Sequence, residues 1–188
     1  MSATDDSASE RRPLGLAEGV VEVAPYHPAW PSLFEAEAAR LQLVLARHGL
    51  AVQLEHMGST AVPGLPAKPI IDMLGAHDVA VSRTAVIAAL VEAGYVHRGE
   101  QGIPGRDFFR RGVPRQYHLH LTELGSPFWH DHRAFRDHLR AHPAARDAYA
   151  ALKQQLAEEF PRNRPAYIDG KTAFVRGILT DATRETAR

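Results

Sequence analysis

One segment brings together residue types that bind phosphate or metal ions. Gly58, Ser59 and Thr60 follow a predicted strand, and a turn of this composition offers backbone N–H groups and hydroxyls to an anion. Lys68 adds a point charge that suits phosphate. Asp72 lies in an otherwise apolar run, where a carboxylate is costly unless it is paired or bound to a cation. The segment fits an anion site or, alternatively, a capped turn with a structural ion pair.

Two histidines, His118 and His120, form a second group of candidate ligands. In a strand, alternate side chains share a face, so these imidazoles would lie about 7 Å apart on one side. Neutral imidazole binds zinc, manganese or iron, so the pair could hold one metal ion or flank one substrate group. The chain has 11 histidines, which makes such a pair common by chance, and a solvent-facing polar surface is the alternative.

Positive charge is concentrated on a predicted helix over residues 129–141. Trp129, Arg133, Arg136 and Arg140 recur at steps of four, three and four, which places them on one face. A row of guanidinium groups suits polyphosphate. The alternative is a solvated face on which Asp137 pairs with a neighbouring arginine.

Two further cations accompany aromatic residues. If residues 106–110 are extended, Arg106 and Phe108 share a face and could line a pocket in which a base stacks. Lys171 follows Tyr167 at helical spacing, so it lies on or beside a buried stripe. An inward lysine needs a carboxylate or a ligand phosphate as its partner, unless its amine extends to the rim.

Apolar periodicity predicts the elements that position these residues. Strands are predicted at residues 20–23, 51–57, 69–74, 95–98, 107–111 and 116–122. Helices are predicted from residue 30 to a stop at Gly49, and at 81–93, 129–141, 144–160 and 166–182. Mixed elements followed by helices alone indicate an α+β domain, in which a small sheet is backed by helices and capped by a helical C-terminal region.

Length and composition limit the class of protein. The 188 residues suffice for one domain, and we predict a disordered segment at residues 1–18 and a single domain over residues 19–184. The 22 Lys and Arg balance the 22 Asp and Glu, which argues against nucleic acid as a partner held by bulk charge. The chain has no cysteine, no visible secretory signal and no run of roughly 18 apolar residues. These features predict a cytoplasmic protein without a membrane partner.

Taken together, the motifs resemble those of the GrpB family (UPF0157) of the nucleotidyltransferase superfamily. The resemblance rests above all on a long and specific run from Glu55 to Asp72, EHMGSTAVPGLPAKPIID. It covers about residues 20–180 and includes VAPYHPAW at 23–30, RDFFR at 106–110, YHLH at 117–120, FRDHLR at 135–140, and the segment from Tyr167 through Lys171 to Phe174.

The resemblance implies a nucleotidyltransferase-like fold: a small mixed β-sheet flanked by helices, with a helical C-terminal region. In that superfamily a Gly-Ser turn holds the nucleotide phosphates, and paired carboxylates bind two divalent metal ions that support in-line displacement. Gly58 and Ser59 match the turn, and Asp72 matches the first carboxylate. The position of the second carboxylate holds Leu74, so the usual two-metal cluster is incomplete.

The function implied by the resemblance is metal-dependent transfer of a nucleotidyl or phosphoryl group, with a nucleotide or another phosphate ester as substrate. A divalent ion (Mg, Mn or Zn) would be bound by Asp72, His118 and His120, and these residues and Lys68 are the catalytic candidates. The residues expected to bind the nucleotide phosphates are Gly58, Ser59, Thr60, Lys68, Arg106, Arg136 and Lys171.

Two alternatives stay open. Leu74 favours a non-catalytic module that binds a nucleotide or phosphate. Family members resemble a domain fused to dephospho-coenzyme A kinase in some bacteria, which suggests a link to coenzyme A metabolism and an association with that kinase. The second alternative is a metal-dependent hydrolase built on His118 and His120, which would need an open water position on the metal.

Overall fold

Five short strands form one mixed sheet. The computed structural model describes residues 13–186. The strands are β1 (Val52–Met57), β2 (Ile71–His77), β3 (Val96–His97), β4 (Asp107–Arg111) and β5 (Tyr117–Glu123). Their spatial order is β1-β2-β5-β4-β3. Strands β2 and β5 run parallel, whereas the other neighbouring pairs are antiparallel.

Helices flank this sheet and make up the C-terminal third. They are α1 (Trp30–Arg47), α2 (Arg83–Glu92), α3 (Pro127–Ala141), α4 (Pro143–Glu159), α5 (Arg164–Asp169) and α6 (Thr172–Thr186). The predicted α+β architecture, a small mixed sheet flanked by helices with a helical C-terminal region, is therefore confirmed. Across residues 13–186, none of the helices combines the length and the apolar character that crossing a membrane requires.

The two faces of the sheet differ because side chains alternate along each strand. One face is apolar and belongs to the main hydrophobic core with α1 and α2; its residues are Ile71, Met73, Phe109, Leu119 and Leu121. The opposite face presents Asp72, Phe108, His118 and His120 to a cavity. The register places Asp72 beside His118 and Phe108 beside His120. The prediction that His118 and His120 share one face of a strand is confirmed.

Helix α1 anchors the apolar face of the sheet. Trp30, Leu41 and Leu45 are each at most 1% exposed, and burial of each such side chain contributes about 2–3 kcal/mol. The helix ends where Gly49 adopts a φ of 66°, a left-handed conformation that glycine adopts without steric cost. The predicted helix and its stop are confirmed.

Two predicted elements need correction. Residues 20–23 form no strand; Ala24 makes a single bridge to Ala67, and Pro25, which follows, cannot donate to a strand ladder. The helix predicted at 166–182 is divided into α5 and α6 between Asp169 and Thr172. Gly170, in the link, packs so closely on α4 that an added Cβ would lie 2.5 Å from Leu156, so this approach requires glycine.

The N-terminal prediction is also corrected in part. Residues 1–12 of the predicted disordered segment lie outside the described residues. Within residues 13–18, Leu14 and Leu16 are buried, at 8% and 3% exposure, whereas Ala17 and Glu18 are exposed. Leu16 pairs with Arg115, and the indole of Trp30 donates to the carbonyl of Pro13 at 2.8 Å. Burial of two leucines therefore holds a segment that composition alone assigned to disorder.

Candidate functional site

A cavity of about 410 Å³ opens on the polar face of the sheet. Its wall comes from the turn after β1, from strands β2, β4 and β5, from the loop before β4, and from helices α4 and α5 with the link to α6. Segments far apart in the sequence thus meet at one place.

Asp72 lies on β2 and brings both predicted histidines together. Its Oδ1 atom is 3.1 Å from Nδ1 of His118 and 3.8 Å from Nε2 of His120. Burial would by itself raise the pKa of Asp72, but the hydrogen bonds and charges of the two imidazoles lower this pKa below its usual value. An ionised Asp72 accepts a hydrogen bond from the Nδ1–H group of His118, and this contact fixes the tautomer and the orientation of that ring.

The turn after β1 packs against Asp72. Gly58 has a φ of 70°, and a Cβ on this residue would lie 2.9 Å from Oδ2 of Asp72, so the close approach requires glycine. Ser59 and Thr60 follow in a short 3-10 turn and line the cavity. The hydroxyl of Thr60 is 2.9 Å from Nε2 of His56. Burial lowers the pKa of His56 to about 4, so its imidazole is neutral at physiological pH.

The chain has three lysines, and all three line this cavity; we call Lys68, Lys153 and Lys171 the cavity lysines. The Nζ atoms of Lys68 and Lys171 lie 4.2 and 4.4 Å from the centre of the Tyr167 ring. Lys153 is 2% exposed and donates to the carbonyl of Pro66. Burial, reinforced by neighbouring positive charges, lowers the pKa of Lys68 and of Lys153 to about 7 and that of Lys171 to about 8.

Three arginines add to the positive charge of the cavity: Arg106, Arg115 and Arg164. Arg106 is 7% exposed and lies over the ring of Phe108. Its Nε atom is buried without a hydrogen-bond partner among the described residues. Six cationic side chains therefore surround the cavity, against Asp72 as the one carboxylate among the described lining residues. The electrostatics of the cavity favour an anion.

The outer part of the cavity is less polar. Ile103, from the loop before β4, and Ile168, on α5, both line it, and they are 37% and 39% exposed. Tyr167 and Phe108 present aromatic surface deeper inside. A ligand that combines an anionic group with an apolar or aromatic group would match both regions.

Most of the predicted site residues meet at this cavity. Its lining includes Ser59, Thr60, Lys68, Asp72, Arg106, His118, His120 and Lys171. Gly58 packs against Asp72 and is not among the lining residues. Lys171 lies in the link between α5 and α6 and not on one continuous helix, yet it lines the cavity beside Tyr167.

The predicted phosphate contact of Arg136 is not supported by its position. Arg136 does not line the cavity. It is 7% exposed and binds Glu55 at 2.9 Å, Asp137 at 2.7 Å and the carbonyl of His56 at 3.0 Å. Arg133 also binds Glu55, at 3.1 Å. The arginines of α3 therefore hold this helix to β1 through the carboxylate of Glu55.

Three lining cations were not predicted from the sequence: Arg115, Lys153 and Arg164. Lys153 lies within a helix of ordinary composition, and only tertiary packing brings it beside Lys68. One signal was present in the sequence. Lysine occurs three times among 22 Lys and Arg residues, and this scarcity makes each lysine worth examining.

The donors predicted to bind a divalent metal converge, but they fit such an ion poorly. Across residues 13–186, no group of three or more histidine, aspartate or glutamate side chains is placed to hold a metal. Leu74, at the second-carboxylate position, is apolar and 1% exposed, and Oδ1 of Asp72 is already bound by His118. A divalent cation would gain one carboxylate and would be repelled by the surrounding ammonium and guanidinium groups. The metal site stays a prediction.

Comparisons with known proteins identify relatives over most of the chain. The GrpB family model, described as "GrpB protein", matches residues 20–181. The UPF0157 protein YqkA of Bacillus subtilis is 38% identical over 87% of this chain and 48% of its own length, so the chain spans about half of that relative. A dephospho-CoA kinase of Mycolicibacterium paratuberculosis is 25% identical over 86% of this chain and 46% of its own length.

Two other relatives are covered almost completely by this chain. The glutamate-rich protein GrpB of Alkalihalophilus pseudofirmus is 32% identical over 89% of this chain and 99% of its own length. The crystal structure of the conserved protein GrpB from Enterococcus faecalis superposes with a TM-score of 0.78 and 35% identity, over 89% of this chain and 100% of that chain. The family match and these likenesses show that the chain belongs to the GrpB family.

Proposed function

We propose that this protein binds a phosphorylated small molecule, a nucleotide or another phosphate ester, in the cavity on the polar face of the sheet. The observation that carries the proposal is the charge of the lining: six cationic side chains against one carboxylate. Among the described residues, none of the cavity lysines forms an ion pair with a carboxylate. Buried cations are costly without a counter-charge. A bound phosphate would supply the negative charge that the cavity lysines lack.

The volume of the cavity and the separation of its charged and apolar regions support the same ligand class. A volume of about 410 Å³ is within the usual range of small-molecule pockets, roughly 300–1,000 Å³. Phosphate groups would bind near the cavity lysines, and the rest of the ester would contact Ile103 and Ile168 at the outer part. A nucleotide or a coenzyme A precursor has this division into an anionic and a less polar part.

A thermal-shift series tests the proposal with nucleoside triphosphates, dephospho-coenzyme A and inorganic triphosphate as probes. A ligand at about 100 times its Kd stabilises the folded state by about 2.7 kcal/mol, which corresponds to a rise in Tm of roughly 5–10 °C for a chain of this size. Lys171→Met should abolish the rise. The control Arg47→Met removes an exposed arginine at the end of α1 and should preserve it. The proposal fails if no probe raises Tm, or if both variants respond like the unaltered protein.

A second candidate function is metal-dependent transfer of a nucleotidyl or phosphoryl group. The convergence of His118 and His120 on Asp72 favours it, since a carboxylate-oriented imidazole can accept a proton from an attacking hydroxyl or water. Incubation with nucleotide and Mg²⁺, Mn²⁺ or Zn²⁺, followed by chromatography, would detect transfer products, or the hydrolysis products expected of the alternative hydrolase. His118→Gln should abolish turnover and leave binding in place.

The partner and location predictions belong to the same proposal. A functional link to dephospho-coenzyme A kinase is supported by a 25% identical relative of that name, and we propose a coenzyme A precursor as the first ligand to test. The cytoplasmic location predicted from the cysteine-free composition is compatible with such a ligand. Co-purification of the tagged chain with the kinase of the same cell would test the association.

A further inference from the structure

The sheet register shows which acidic residue lies closest to Leu74, the residue at the position of the missing second carboxylate. Leu74 pairs with Glu55 of β1 in the sheet register. The carboxylate of Glu55 is bound by Arg133 at 3.1 Å and by Arg136 at 2.9 Å. The acid nearest to Leu74 in the register is therefore already neutralised by α3. Asp72 is left as the carboxylate of the cavity.

Two ammonium groups lie where the charge of Asp72 can act on them. Lys68 and Lys171 are both placed over the Tyr167 ring, at 4.2 and 4.4 Å from its centre. Burial lowers the pKa of each amine, and the attraction of Asp72 opposes that effect in both. These amines are thus positive point charges that share the cavity lining with Asp72 without forming an ion pair with it.

Arg106 provides an independent sign that an anion belongs here. The guanidinium group is 7% exposed, and its Nε atom is buried without a hydrogen-bond partner among the described residues. One Nη atom donates to the carbonyl of Glu100 at 2.7 Å, and the other is 3.4 Å from Nδ1 of His120. A buried donor without an acceptor is costly, so the described part of the protein alone does not satisfy this guanidinium group, which lines the cavity.

From these observations we infer that the cavity binds phosphate without a divalent metal ion, and that the ammonium groups of Lys68 and Lys171 occupy the role that metal ions have where paired carboxylates are present. The inference rests on the proposed function and adds the nature of the counter-cation. Lysine serves as a point charge for phosphate. In this site, basic side chains of the protein take the place of a carboxylate pair and its metal ions.

Isothermal titration of the unaltered full chain with inorganic triphosphate is the first test. One titration uses chelator-treated buffer with EDTA, and the others contain Mg²⁺ or Mn²⁺. The inference expects the Kd in EDTA to be equal to or lower than the Kd with metal, because metal ions compete for triphosphate in solution. Binding that requires a divalent ion would overturn the inference and leave phosphate binding intact. Absence of binding under every condition would overturn the proposed function as well.

Substitution of Asp72 distinguishes metal-dependent from metal-free phosphate binding, because the two hypotheses predict different changes in triphosphate affinity. If Asp72 holds a metal, Asp72→Asn should weaken triphosphate binding at least tenfold. If ammonium groups bind the phosphate directly, Asp72→Asn removes a repelling charge, so affinity at pH 6, below the pKa values of Lys68 and Lys171, should stay constant or increase up to tenfold. Asparagine can still accept a hydrogen bond from His118, and circular dichroism with Tm verifies the fold.

The lysine variants complete the test. Lys68→Met and Lys171→Met should each weaken triphosphate binding at least tenfold in EDTA buffer, with Arg47→Met as the charge control. Equal affinity in both lysine variants and in the control would overturn the inference. Because the metal titration uses the unaltered chain, the result does not depend on whether any variant folds.

Discussion

Replacement of Lys153 by methionine should make the protein more stable at neutral pH. Lys153 is 2% exposed, and burial with the repulsion of the other cavity lysines lowers its pKa from 10.5 to about 7. At about 1.4 kcal/mol per pKa unit, this difference corresponds to roughly 5 kcal/mol of cost to the folded state. Methionine loses the bond to Pro66 and the contact with Tyr149, together about 2 kcal/mol. The expected net gain is about 2–3 kcal/mol at pH 7.

The stability gained by Lys153→Met depends on pH. Below pH 7 both states carry the proton on Lys153 and the folded state bears the full cost. Between about pH 7 and 10.5 the folded state releases this proton first, so the unfolded state binds more protons and the stability of the unaltered protein rises with pH. The advantage of Lys153→Met should therefore shrink to zero by about pH 10, where the lost contacts leave a small deficit.

Urea unfolding of both proteins at pH 7 and pH 10 measures the effect, with Arg47→Met as the control for loss of one positive charge. A loss of stability in Lys153→Met of equal size at both pH values would refute the reasoning. It would mean that the ammonium group is fully compensated in the folded state. The cavity would then have no unbalanced charge to offer to an anion.

Three further outcomes follow from the site. Triphosphate affinity should fall at least tenfold between about pH 6 and pH 9, because the cavity lysines, with pKa values of about 7 to 8, lose their charge; isothermal titration that shows equal affinity would contradict this. Arg136→Ala should lower the free energy of unfolding in urea by about 2–4 kcal/mol, because it leaves Glu55 with fewer partners. Triphosphate affinity should be unchanged; weakened binding would mean that Arg136 contributes to the phosphate site. Gly58→Ala should cost about 1–3 kcal/mol and weaken binding by shifting Ser59 and Thr60, which follow it and line the cavity. Gly64→Ala, with a similar φ and a nearest side-chain atom at 3.6 Å, should affect stability alone; equal binding in both would argue against the role of Gly58.

The elements around the site were largely predictable because their local patterns reflect their surroundings. Apolar side chains alternate with His118 and His120 along strand β5. In the structure the apolar side chains face the core and the two histidines face the cavity, as the alternation predicts. Asp72 was predictable because a charge inside an apolar run must have a function or a partner, and Lys68 because a lysine close to a Gly-Ser-Thr turn suits phosphate.

The remainder depended on contacts between distant segments. The spacing of Arg133 and Arg136 correctly placed them on α3, but their partner Glu55 comes from β1, about 80 residues earlier, and no local pattern shows that pairing. Lys153 was overlooked because a single lysine in a helix is usually exposed. Its burial follows from the packing of α4 on the segment that ends at Pro66.

The confinement of the cavity lysines has a consequence for handling the protein. Apart from the terminal amino group, every primary amine of the chain lies at one place, and amines with lowered pKa are the more nucleophilic at neutral pH. Acylating labels would therefore react at the cavity, and their extent of reaction, read by mass spectrometry, would report occupancy by any ligand. For the same reason, immobilisation through lysine coupling would block the cavity, so surface-based binding assays should use a terminal tag instead.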